Sequence, residues 1–304
     1  MRILITGGSG TIGKAFIKEF PKHTYYNVSR NEKFLTDLMR EYPDTKNYIG
    51  NIEDEGFLVR VFKDVKPDVV IHAAAMKHIN IAEENPIQAC QSNVIGSMNV
   101  INASIIADVP ITIGISTDKA CSSESVYGDT KSLMEKCFME ANTDKNRFAL
   151  TRFANVAHSN GSVLPFWIDL FKKGETLKLT SKKMNRLMFS KSDSAQLINR
   201  AINKCDTDGG GFVCSYKMKS VNMLDLAKVI SDDVEIVGLR SGEKLNEELI
   251  SDNEVPYTYL EDEMIYIYNT ENMNDKYKLT KGYSSANAEK MTIKEMKELI
   301  WYTK

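Results

Sequence analysis

The chain lacks the features that mark secreted, membrane-spanning and metal-binding proteins. Among its 304 residues are five cysteines, an odd number with no Cys-x-x-Cys spacing, which favours neither a disulfide framework nor a zinc site. No apolar run approaches the ~18 residues that a membrane span needs, and the apolar stretch near the N-terminus covers only residues 3–5. We therefore expect a cytoplasmic protein with reduced thiols and no bound metal.

The sequence also lacks an excess of charge of either sign. Lys and Arg number 39 against 41 Asp and Glu, a formal net charge of −2 at pH 7. Surfaces that bind nucleic acid or anionic membranes usually carry a clear positive excess, so neither partner is expected. No internal repeat, low-complexity tract or Pro-rich linker is present. A hydrophobic content of 42% at this length is enough for a large core, and a small ligand is the better expectation.

Short β-rich runs alternate with helical stretches in the first half of the chain. Long helical patterns cover residues 82–107 and 125–142, and such helices either pair across a dimer or only cover a sheet. The alternation predicts an α/β fold, a Rossmann-like doubly wound parallel sheet with helices on both faces. The runs predicted as strands are residues 2–6, 25–29, 46–50, 68–72, 111–116 and 148–153.

The pattern becomes shorter and less regular in the second half. We expect residues 1–160 to form a dinucleotide-binding Rossmann domain. Residues 161–304 are expected to form a smaller α/β substrate-binding lobe, from which elements can return to the main sheet. The three glycines at 209–211 indicate a turn before a new strand.

A glycine-rich segment, TGGSGTIG at residues 6–13, lies between the first predicted strand and the first helix. Glycines here allow a tight turn, a close approach of the backbone to a pyrophosphate and close packing of helix on strand, while the helix N-terminus offers free amide donors. A plain glycine turn is the alternative. The residues predicted to contact the cofactor at this end are Gly7, Gly10, Thr11, Ile12 and Gly13.

The end of the second strand indicates which dinucleotide binds. An NAD-binding protein usually has an acidic residue there, whereas this chain has Ser29 and Arg30. Because a guanidinium suits a 2′-phosphate, NADP is predicted; the alternative is that Arg30 is a solvated loop cation. The residues that follow the third and fourth strands are expected to contact the adenine and ribose, namely Asn51, Ile52, Ala73, Ala74 and Ala75.

The fifth strand leads into candidate catalytic residues. It ends at Thr117, and Tyr127 and Lys131 follow at the start of a predicted helix, four positions apart and so on one face. A lysine ammonium there can lower the pKa of the phenol and bind the nicotinamide ribose, so that Tyr127 acts as a base. A surface pair is the alternative for this spacing alone.

Asp118 and Lys119 add an acid and an amine to this group. A simple dehydrogenase needs only the tyrosine, the lysine and a hydroxyl, so two more titratable groups indicate additional proton transfers. Lys119 must lose its proton to act as a base, which the charges of Lys131 and of the nicotinamide ring are expected to favour. An exposed turn is the alternative.

At this point the chain resembles the inverting UDP-N-acetylglucosamine 4,6-dehydratases, extended short-chain dehydrogenases/reductases of the polysaccharide biosynthesis type. The resemblance runs over nearly the whole chain and rests on ITGGSGTIGKAF from Ile5, IHAAAMKHINIAEENP from Ile71, STDKA from Ser116, YGDTK from Tyr127, RFANV from Arg152 and LRSGEKLNEEL from Leu239. The Asp-Lys pair separates this branch from the dTDP-glucose 4,6-dehydratases, which have Asp-Glu, and from 4-epimerases, which lack the acid.

The resemblance implies a recycled NADP, a UDP-sugar substrate and a homo-oligomer. Tyr127 would take the proton from the hydroxyl on carbon 4, assisted by Lys131 and Thr117. Lys119 would remove the proton on carbon 5, and Asp118 would protonate the hydroxyl that leaves carbon 6. Protonation of carbon 5 from the opposite face would give a UDP-linked 4-keto-6-deoxy-L-hexose for surface glycan or nonulosonic acid biosynthesis.

The resemblance also implies residues around the substrate. Asn93 would lie near the cofactor and the cleft, and each of the others could instead be a solvated or packing residue. Departures from the family pattern, ACSSE at 120–124 and HSNG at 158–161, leave several alternatives open: a non-inverting 4,6-dehydratase, a 5,6-ene-forming dehydratase, a UDP-sugar 4-epimerase, or a non-catalytic NADP-binding sensor or scaffold. The substrate-binding residues are Lys77, Asn155, Val163, Pro165, Arg186, Arg240 and Glu243.

Overall fold

The computed structural model describes residues 1–239, 242–271 and 277–301. Within them lie sixteen strands: β1 Arg2–Thr6, β2 Thr24–Ser29, β3 Lys46–Ile49, β4 Val69–His72, β5 Ile111–Thr117, β6 Arg147–Phe153, β7 Asn155–Val156, β8 Leu177–Leu179, β9 Asn185–Phe189, β10 Phe212–Tyr216, β11 Ser220–Asn222, β12 Val234–Ile236, β13 Glu248–Ile250, β14 Thr258–Glu261, β15 Met264–Tyr268 and β16 Tyr283–Ser284.

The described part of the chain also forms eleven α-helices. They are α1 Thr11–Glu19, α2 Glu32–Glu41, α3 Glu55–Val65, α4 Ile79–Glu84, α5 Pro86–Cys90, α6 Gly96–Ile106, α7 Val126–Ala141, α8 Val163–Lys173, α9 Lys191–Asp208, α10 Met223–Ile230 and α11 Ile293–Trp301. No helix among these residues is both long and apolar enough to cross a membrane.

Nine strands form the main sheet in the order β14-β15-β10-β6-β5-β4-β1-β2-β3. The seven strands from β10 to β3 in this order are parallel to one another. At the other edge β15 pairs antiparallel with both β10 and β14, so β15 is the one strand of this sheet that runs in the opposite direction. Every residue of β4 and β5 is buried, as expected for central strands that helices cover on both faces. The doubly wound parallel sheet is confirmed, and each of the six predicted strands lies within one residue of its predicted bounds.

The second half of the chain divides between two regions. Strands β10, β14 and β15 return to the main sheet, and β10 follows the glycine turn at 209–211 as predicted. The remaining strands form three small sheets, β11-β9-β7, β12-β8 and β13-β16. Helices α8, α10 and α11 pack a separate hydrophobic core around Trp167 and Leu226. The short strand β7 pairs with β9, so residues 155–156 belong to this smaller lobe.

The helical pattern predicted over residues 82–107 is confirmed except for a break at Asn85, so it does not form one continuous helix. The chain instead forms α4 and α5, a π-helical turn at Gln91–Ile95, and then α6. The break lies at Asn85, which has φ −134° and ψ 59°, immediately before Pro86. Proline restricts the backbone of the preceding residue and lacks the N–H that a helix interior needs. The helix predicted over 125–142 is confirmed as α7, within one residue at each end.

Gly13 allows α1 to pack against the glycine-rich loop. A Cβ atom at this position would lie 2.4 Å from the Cα and O atoms of Gly8. The Gly13→Ala variant is therefore expected to lower the free energy of unfolding by about 1–3 kcal/mol, the usual range for overpacking. Thermal unfolding would measure the change.

Gly56→Ala is the matched control, because a Cβ at Gly56 in α3 would have only Asp54 Oδ1 near it, at 3.6 Å. That variant is expected to be as stable as wild type or more stable by about 0.4–1 kcal/mol. Equal melting temperatures for Gly13→Ala and wild type would contradict the packing argument.

Candidate active site

A cavity of about 940 Å³ opens at the carboxyl ends of β1, β2, β4 and β5. In open α/β sheets ligands bind at this edge, where the strand order reverses, here between β1 and β4. None of the described residues that line the cavity is acidic, whereas four are basic: Arg30, Lys77, Lys119 and Lys131. The lining therefore suits a ligand that carries several negative charges.

The glycine-rich loop forms one wall of this cavity. Gly7 has φ +73°, and a Cβ there would lie 2.8 Å from the backbone of Ala74, so both the turn and the close approach require glycine. Helix α1 begins just beyond it with no side-chain cap at Gly10, which leaves amide donors available to an anion. Thr11 and Ile12 also line the cavity. Gly13 does not line the cavity, and it allows α1 to pack closely against Gly8.

The residues predicted for the adenosine end all line the cavity, namely Ser29, Arg30, Asn51, Ile52, Ala73, Ala74 and Ala75. The hydroxyl of Ser9 donates a hydrogen bond to Ser29 Oγ at 3.1 Å. Arg30 is exposed and forms no ion pair within the described part of the chain. This end of the cavity therefore offers a guanidinium and two hydroxyls, and no carboxylate among the described lining residues.

Asn93 and Lys77 hold loops in place around the cavity. Asn93 is fully buried and does not line the cavity. Its side chain accepts a hydrogen bond from Met76 N at 2.8 Å and donates to Met76 O at 2.9 Å and Thr130 Oγ1 at 3.0 Å. Lys77 does line the cavity and donates to the carbonyl oxygen of Asn160 at 2.6 Å. Asn93 therefore supports the loop after β4 from behind the cavity wall.

Tyr127 and Lys131 lie in the first turns of α7 with their side chains buried. Ser125 caps this helix by accepting a hydrogen bond from Gly128 N. Lys131 Nζ donates to the carbonyl oxygen of Ile115 at 2.8 Å. Burial lowers the pKa of Lys131 to about 8, and the charge of Glu135 opposes this shift only in part.

The expected effect on Tyr127 needs a correction. Burial raises the pKa of Tyr127, and the charge of Lys119 and the hydroxyl of Thr117 only partly offset this. The cation that acts on the phenol is thus Lys119, at the end of β5, and not Lys131 as the spacing in α7 suggested.

Asp118 and Lys119 form an ion pair directly after β5. Asp118 is fully buried, and its Oδ1 accepts hydrogen bonds from Thr117 Oγ1 and Lys119 Nζ, both at 3.0 Å. Asp118 Oδ2 is buried without a hydrogen-bond partner among the described residues. Lys119 and Tyr127 line the same cavity. The turn is therefore not solvent-exposed, and it presents an amine to the cavity with a carboxyl group directly behind it.

The charge state of Lys119 differs from the expected one. Burial alone would lower its pKa, but the carboxylates of Asp118 and Glu247 outweigh burial and raise it. The cation that opposes them is Arg186, and not Lys131 as predicted from the sequence. Lys119 is an ammonium in this structure, so a step that uses it as a base must begin by moving its proton.

Glu247 is a buried residue of the site that the sequence reasoning did not single out. It lies just before β13 and is 5% exposed. Its Oε1 is 3.8 Å from Lys119 Nζ and 3.8 Å from Arg186 Nη2, and burial raises its pKa. The sequence signal that could have identified Glu247 is its position in LRSGEKLNEEL, the segment that also contains the predicted residues Arg240 and Glu243.

The residues predicted to hold the substrate are dispersed. Asn155 lines the cavity. Arg186, in β9, does not line the cavity. It is 9% exposed and donates to the backbone carbonyls of Asn185 and Lys244. Val163 begins α8, where Pro165 is exposed, and neither lines the cavity. Glu243 is partly buried in the segment before β13, and Arg240 lies outside the described residues.

Comparison with known proteins identifies the family of this chain. The sequence pattern of a family described as polysaccharide biosynthesis protein matches residues 3–269. An inverting UDP-N-acetylglucosamine 4,6-dehydratase of Campylobacter jejuni is 36% identical, over 84% of this chain and 79% of that protein. A protein of Methanocaldococcus jannaschii named as an uncharacterized membrane protein is 35% identical, over 98% of this chain and 94% of its own.

A solved structure shares nearly the entire fold. The X-ray structure of Pen from Bacillus thuringiensis superposes with a TM-score of 0.90 at 28% sequence identity, covering 99% of this chain and 97% of that one. The family pattern spans both the glycine-rich loop and the segment that carries Glu247. The chain belongs to the polysaccharide biosynthesis protein family and is similar in sequence to its inverting UDP-N-acetylglucosamine 4,6-dehydratases.

Proposed function

We propose that this protein catalyses the NADP-dependent 4,6-dehydration of UDP-N-acetylglucosamine with inversion at carbon 5, as a cytoplasmic homo-oligomer. The observation that carries the proposal is that Lys119 and Tyr127 line one cavity and that Lys119 forms an ion pair with Asp118, which is buried directly behind it. Oxidation at carbon 4 or 4-epimerisation needs only the tyrosine and its helpers. An acid and an amine beside the phenol add what water elimination requires.

The residues of the cavity fit a dinucleotide. The glycine-rich loop and the N-terminus of α1 would bind the pyrophosphate, and Ser29 and Arg30 would bind the 2′-phosphate. When bound, the nicotinamide accepts a hydride from carbon 4 of the sugar and returns it to carbon 6. Asn155 and Lys77, which line the cavity, are proposed to lie on the substrate side.

Tyr127 would accept the proton of the carbon 4 hydroxyl, assisted by Lys131. The phenol must first lose its own proton, and the ammonium of Lys119 and the hydroxyl of Thr117 favour the phenolate. Oxidation at carbon 4 makes the proton on carbon 5 acidic. The phenol and the ion pair therefore act in sequence on adjacent atoms of one ring.

One proton shift would convert the resting ion pair into a working acid and base. Moving a proton from Lys119 Nζ to Asp118 across their 3.0 Å hydrogen bond yields a neutral amine and a carboxylic acid. The amine takes the carbon 5 proton, and the C–H electrons form the bond between carbons 5 and 6. The acid gives its proton to the carbon 6 hydroxyl, the C–O bond breaks and water leaves. This restores the ammonium and the carboxylate. Return of hydride to carbon 6 would leave an enolate at carbon 5, and inversion would require water to protonate that carbon from the face opposite Lys119.

In this scheme the neutral Asp118 has one carboxyl oxygen free to donate its proton to the substrate. Its Oδ2, buried and without a hydrogen-bond partner among the described residues, is the atom from which a proton could reach the departing hydroxyl. Leaving such an atom unpaired costs about 1–3 kcal/mol. A substrate hydroxyl that supplies the missing hydrogen bond would recover that energy on binding.

Incubation of the protein with NADP and UDP-N-acetylglucosamine in heavy water tests the proposal. NMR of the product is expected to show a methyl group at carbon 6, deuterium at carbon 5 and the L configuration. A D-configured 6-deoxy product would identify a non-inverting dehydratase, and a retained 5,6-alkene an enzyme that stops at elimination. A carbon 6 hydroxyl that persists with the configuration changed at carbon 4 would identify an epimerase, and no turnover of any UDP-sugar would leave a binding protein.

Arg30 provides the test of cofactor choice. The Arg30→Ala variant is expected to bind NADP about 10–100-fold more weakly, because one charge-assisted hydrogen bond contributes about 1.5–3 kcal/mol, and to bind NAD as wild type does. Titration of both dinucleotides by calorimetry would measure this. Arg40→Ala, which removes an exposed arginine of α2, is the control. Equal losses for NADP and NAD would contradict the assignment of Arg30 to the 2′-phosphate.

A further inference from the structure

Four charged side chains of alternating sign lie in a row at the edge of the cavity. Asp118 contacts Lys119 at 3.0 Å, Lys119 lies 3.8 Å from Glu247, and Glu247 lies 3.8 Å from Arg186. Their exposed fractions are small, with 20% for the side chain of Lys119 and 10% or less for the other three. Coulomb interactions over such distances are much stronger at buried sites than in water.

Glu247 is held firmly in this row by the backbone. Its N–H donates to Ser285 Oγ at 2.9 Å, and its carbonyl oxygen accepts from Ser285 N at 2.9 Å. Strand β13 follows at once and pairs with β16. These contacts fix the backbone from which the buried carboxylate of Glu247 reaches to 3.8 Å from Lys119 Nζ.

We infer that Glu247 is a positioning residue that acts through Lys119 and keeps the proton on the Asp118–Lys119 pair, so that elimination continues at alkaline pH. The inference rests on the proposed function and deepens it. Elimination needs one proton on the pair, because Asp118 must give one to the leaving hydroxyl. Once the pair has lost that proton to solvent, the amine can still act as a base but no acid remains.

Several charged groups act on Lys119 or Asp118 from the elements around them. Asp118 and Glu247 favour the ammonium form of Lys119, and Arg186 on β9 opposes it. Tyr127 on α7 faces Lys119 and is itself affected by both members of the pair. Lys244 acts on Glu247 and favours its carboxylate form. Two carboxylates thus favour the ammonium of Lys119 against burial and one guanidinium, and removal of Glu247 leaves Asp118 as the one carboxylate among these groups that favours it.

The Glu247→Gln variant tests the inference. Loss of the carboxylate lowers the pKa of Lys119, so the pair loses its proton at a lower pH. The alkaline midpoint of dehydration is expected to fall by about one pH unit or more. At a pH above the wild-type midpoint, a shift of one unit corresponds to about a tenfold lower kcat than that of wild type, with KM unchanged. Deuterium exchange at carbon 5 should begin at a correspondingly lower pH.

Glu248→Gln is the matched control. Glu248 is the next residue, exposed, and accepts a hydrogen bond from Ser122 Oγ, so its loss should leave the alkaline midpoint at the wild-type value. Glu247→Asp, which keeps the charge but draws it back by one methylene group, should shift the midpoint less and in the same direction. This variant carries the test if Glu247→Gln does not fold. A midpoint that neither Glu247 variant moves would overturn the inference.

A second measurement needs no turnover. Lysines methylated reductively with ¹³C-formaldehyde titrate individually by NMR, and the Lys119 signal is identified by its absence in Lys119→Arg. Its midpoint is expected to lie lower in Glu247→Gln than in wild type. If that shift occurs but wild type turns over no UDP-sugar, the proposed function fails and the role of Glu247 stands. If wild type turns over and the midpoint does not move, the role of Glu247 fails alone.

Discussion

The Lys119→Ala variant is expected to exchange the carbon 5 proton about 10²–10⁴-fold more slowly than wild type, the usual contribution of a positioned general base. Lys119 is the amine that lines the cavity beside Tyr127, and it is bonded to Asp118 at 3.0 Å. Its removal leaves the phenol and the glycine-rich loop in place. Binding of the dinucleotide should therefore survive. Oxidation at carbon 4 should slow to a smaller extent than exchange at carbon 5, because Lys119 also favours the phenolate of Tyr127.

Three readouts separate the steps in this variant. Calorimetry measures cofactor binding, the absorbance of reduced nicotinamide after mixing with substrate measures oxidation at carbon 4, and NMR in heavy water measures exchange at carbon 5. Lys136→Ala, which removes an exposed lysine of α7, should match wild type in all three. Exchange that continues at the wild-type rate in Lys119→Ala would show that another group is the base.

Much of the main sheet was predictable because its signals are local. The runs at residues 2–6 and 111–116 are short, apolar and bounded by turn residues, and both are central strands of the structure. A parallel sheet then brings the ends of its strands to one edge. The sequence alone therefore predicts that Thr117, Asp118 and Lys119 lie at the same edge of the sheet as the glycine-rich loop.

What the sequence did not predict depends on tertiary contacts. Glu247 reaches Lys119 only because β13, far along the chain, packs beside the turn after β5. The pKa of Lys119 is raised most by Asp118, its neighbour in sequence, and further by Glu247. Only the second of these contributions depends on a contact between distant parts of the chain. The break at Pro86 is different: its signal was present, but the helical pattern on both sides concealed it.

Replacing Arg152 by methionine is expected to cost the most stability, about 3–5 kcal/mol, because it leaves buried carboxylates without their cation. Arg152 is 2% exposed on β6. Its Nη2 contacts Glu135 Oε2 at 2.6 Å and Glu254 Oε1 at 2.8 Å, and its Nη1 donates to Leu249 O at 2.8 Å. Glu135 also accepts a hydrogen bond from Ser116 Oγ, next to the catalytic turn. Denaturant unfolding would measure the loss.

Arg147→Met, in the same strand, is the control. The side chain of Arg147 is 32% exposed, lies 3.7 Å from Asp206 Oδ1, and donates to the carbonyl oxygens of Cys205 and Asp206. Its loss should cost about 1–2 kcal/mol, less than the loss of the buried Arg152. A loss of that size in Arg152→Met as well would contradict the assigned role. Adding Glu135→Leu to Arg152→Met should recover part of the loss, since it removes one of the stranded charges.

The pH dependence distinguishes charge from packing in this cluster. Burial opposes ionisation of Glu254, but the charge and hydrogen bonds of Arg152 outweigh it and lower its pKa from the ordinary 4.5 to about 2. A carboxyl whose pKa is lower in the folded state contributes stability above the unfolded pKa and loses it as the pH falls through the folded one. Wild type should therefore lose this contribution between about pH 4.5 and 2. Arg152→Met has no such contribution to lose, so its deficit relative to wild type should shrink over that range. A deficit that stays constant would mean that lost packing, and not stranded charge, destabilises the variant.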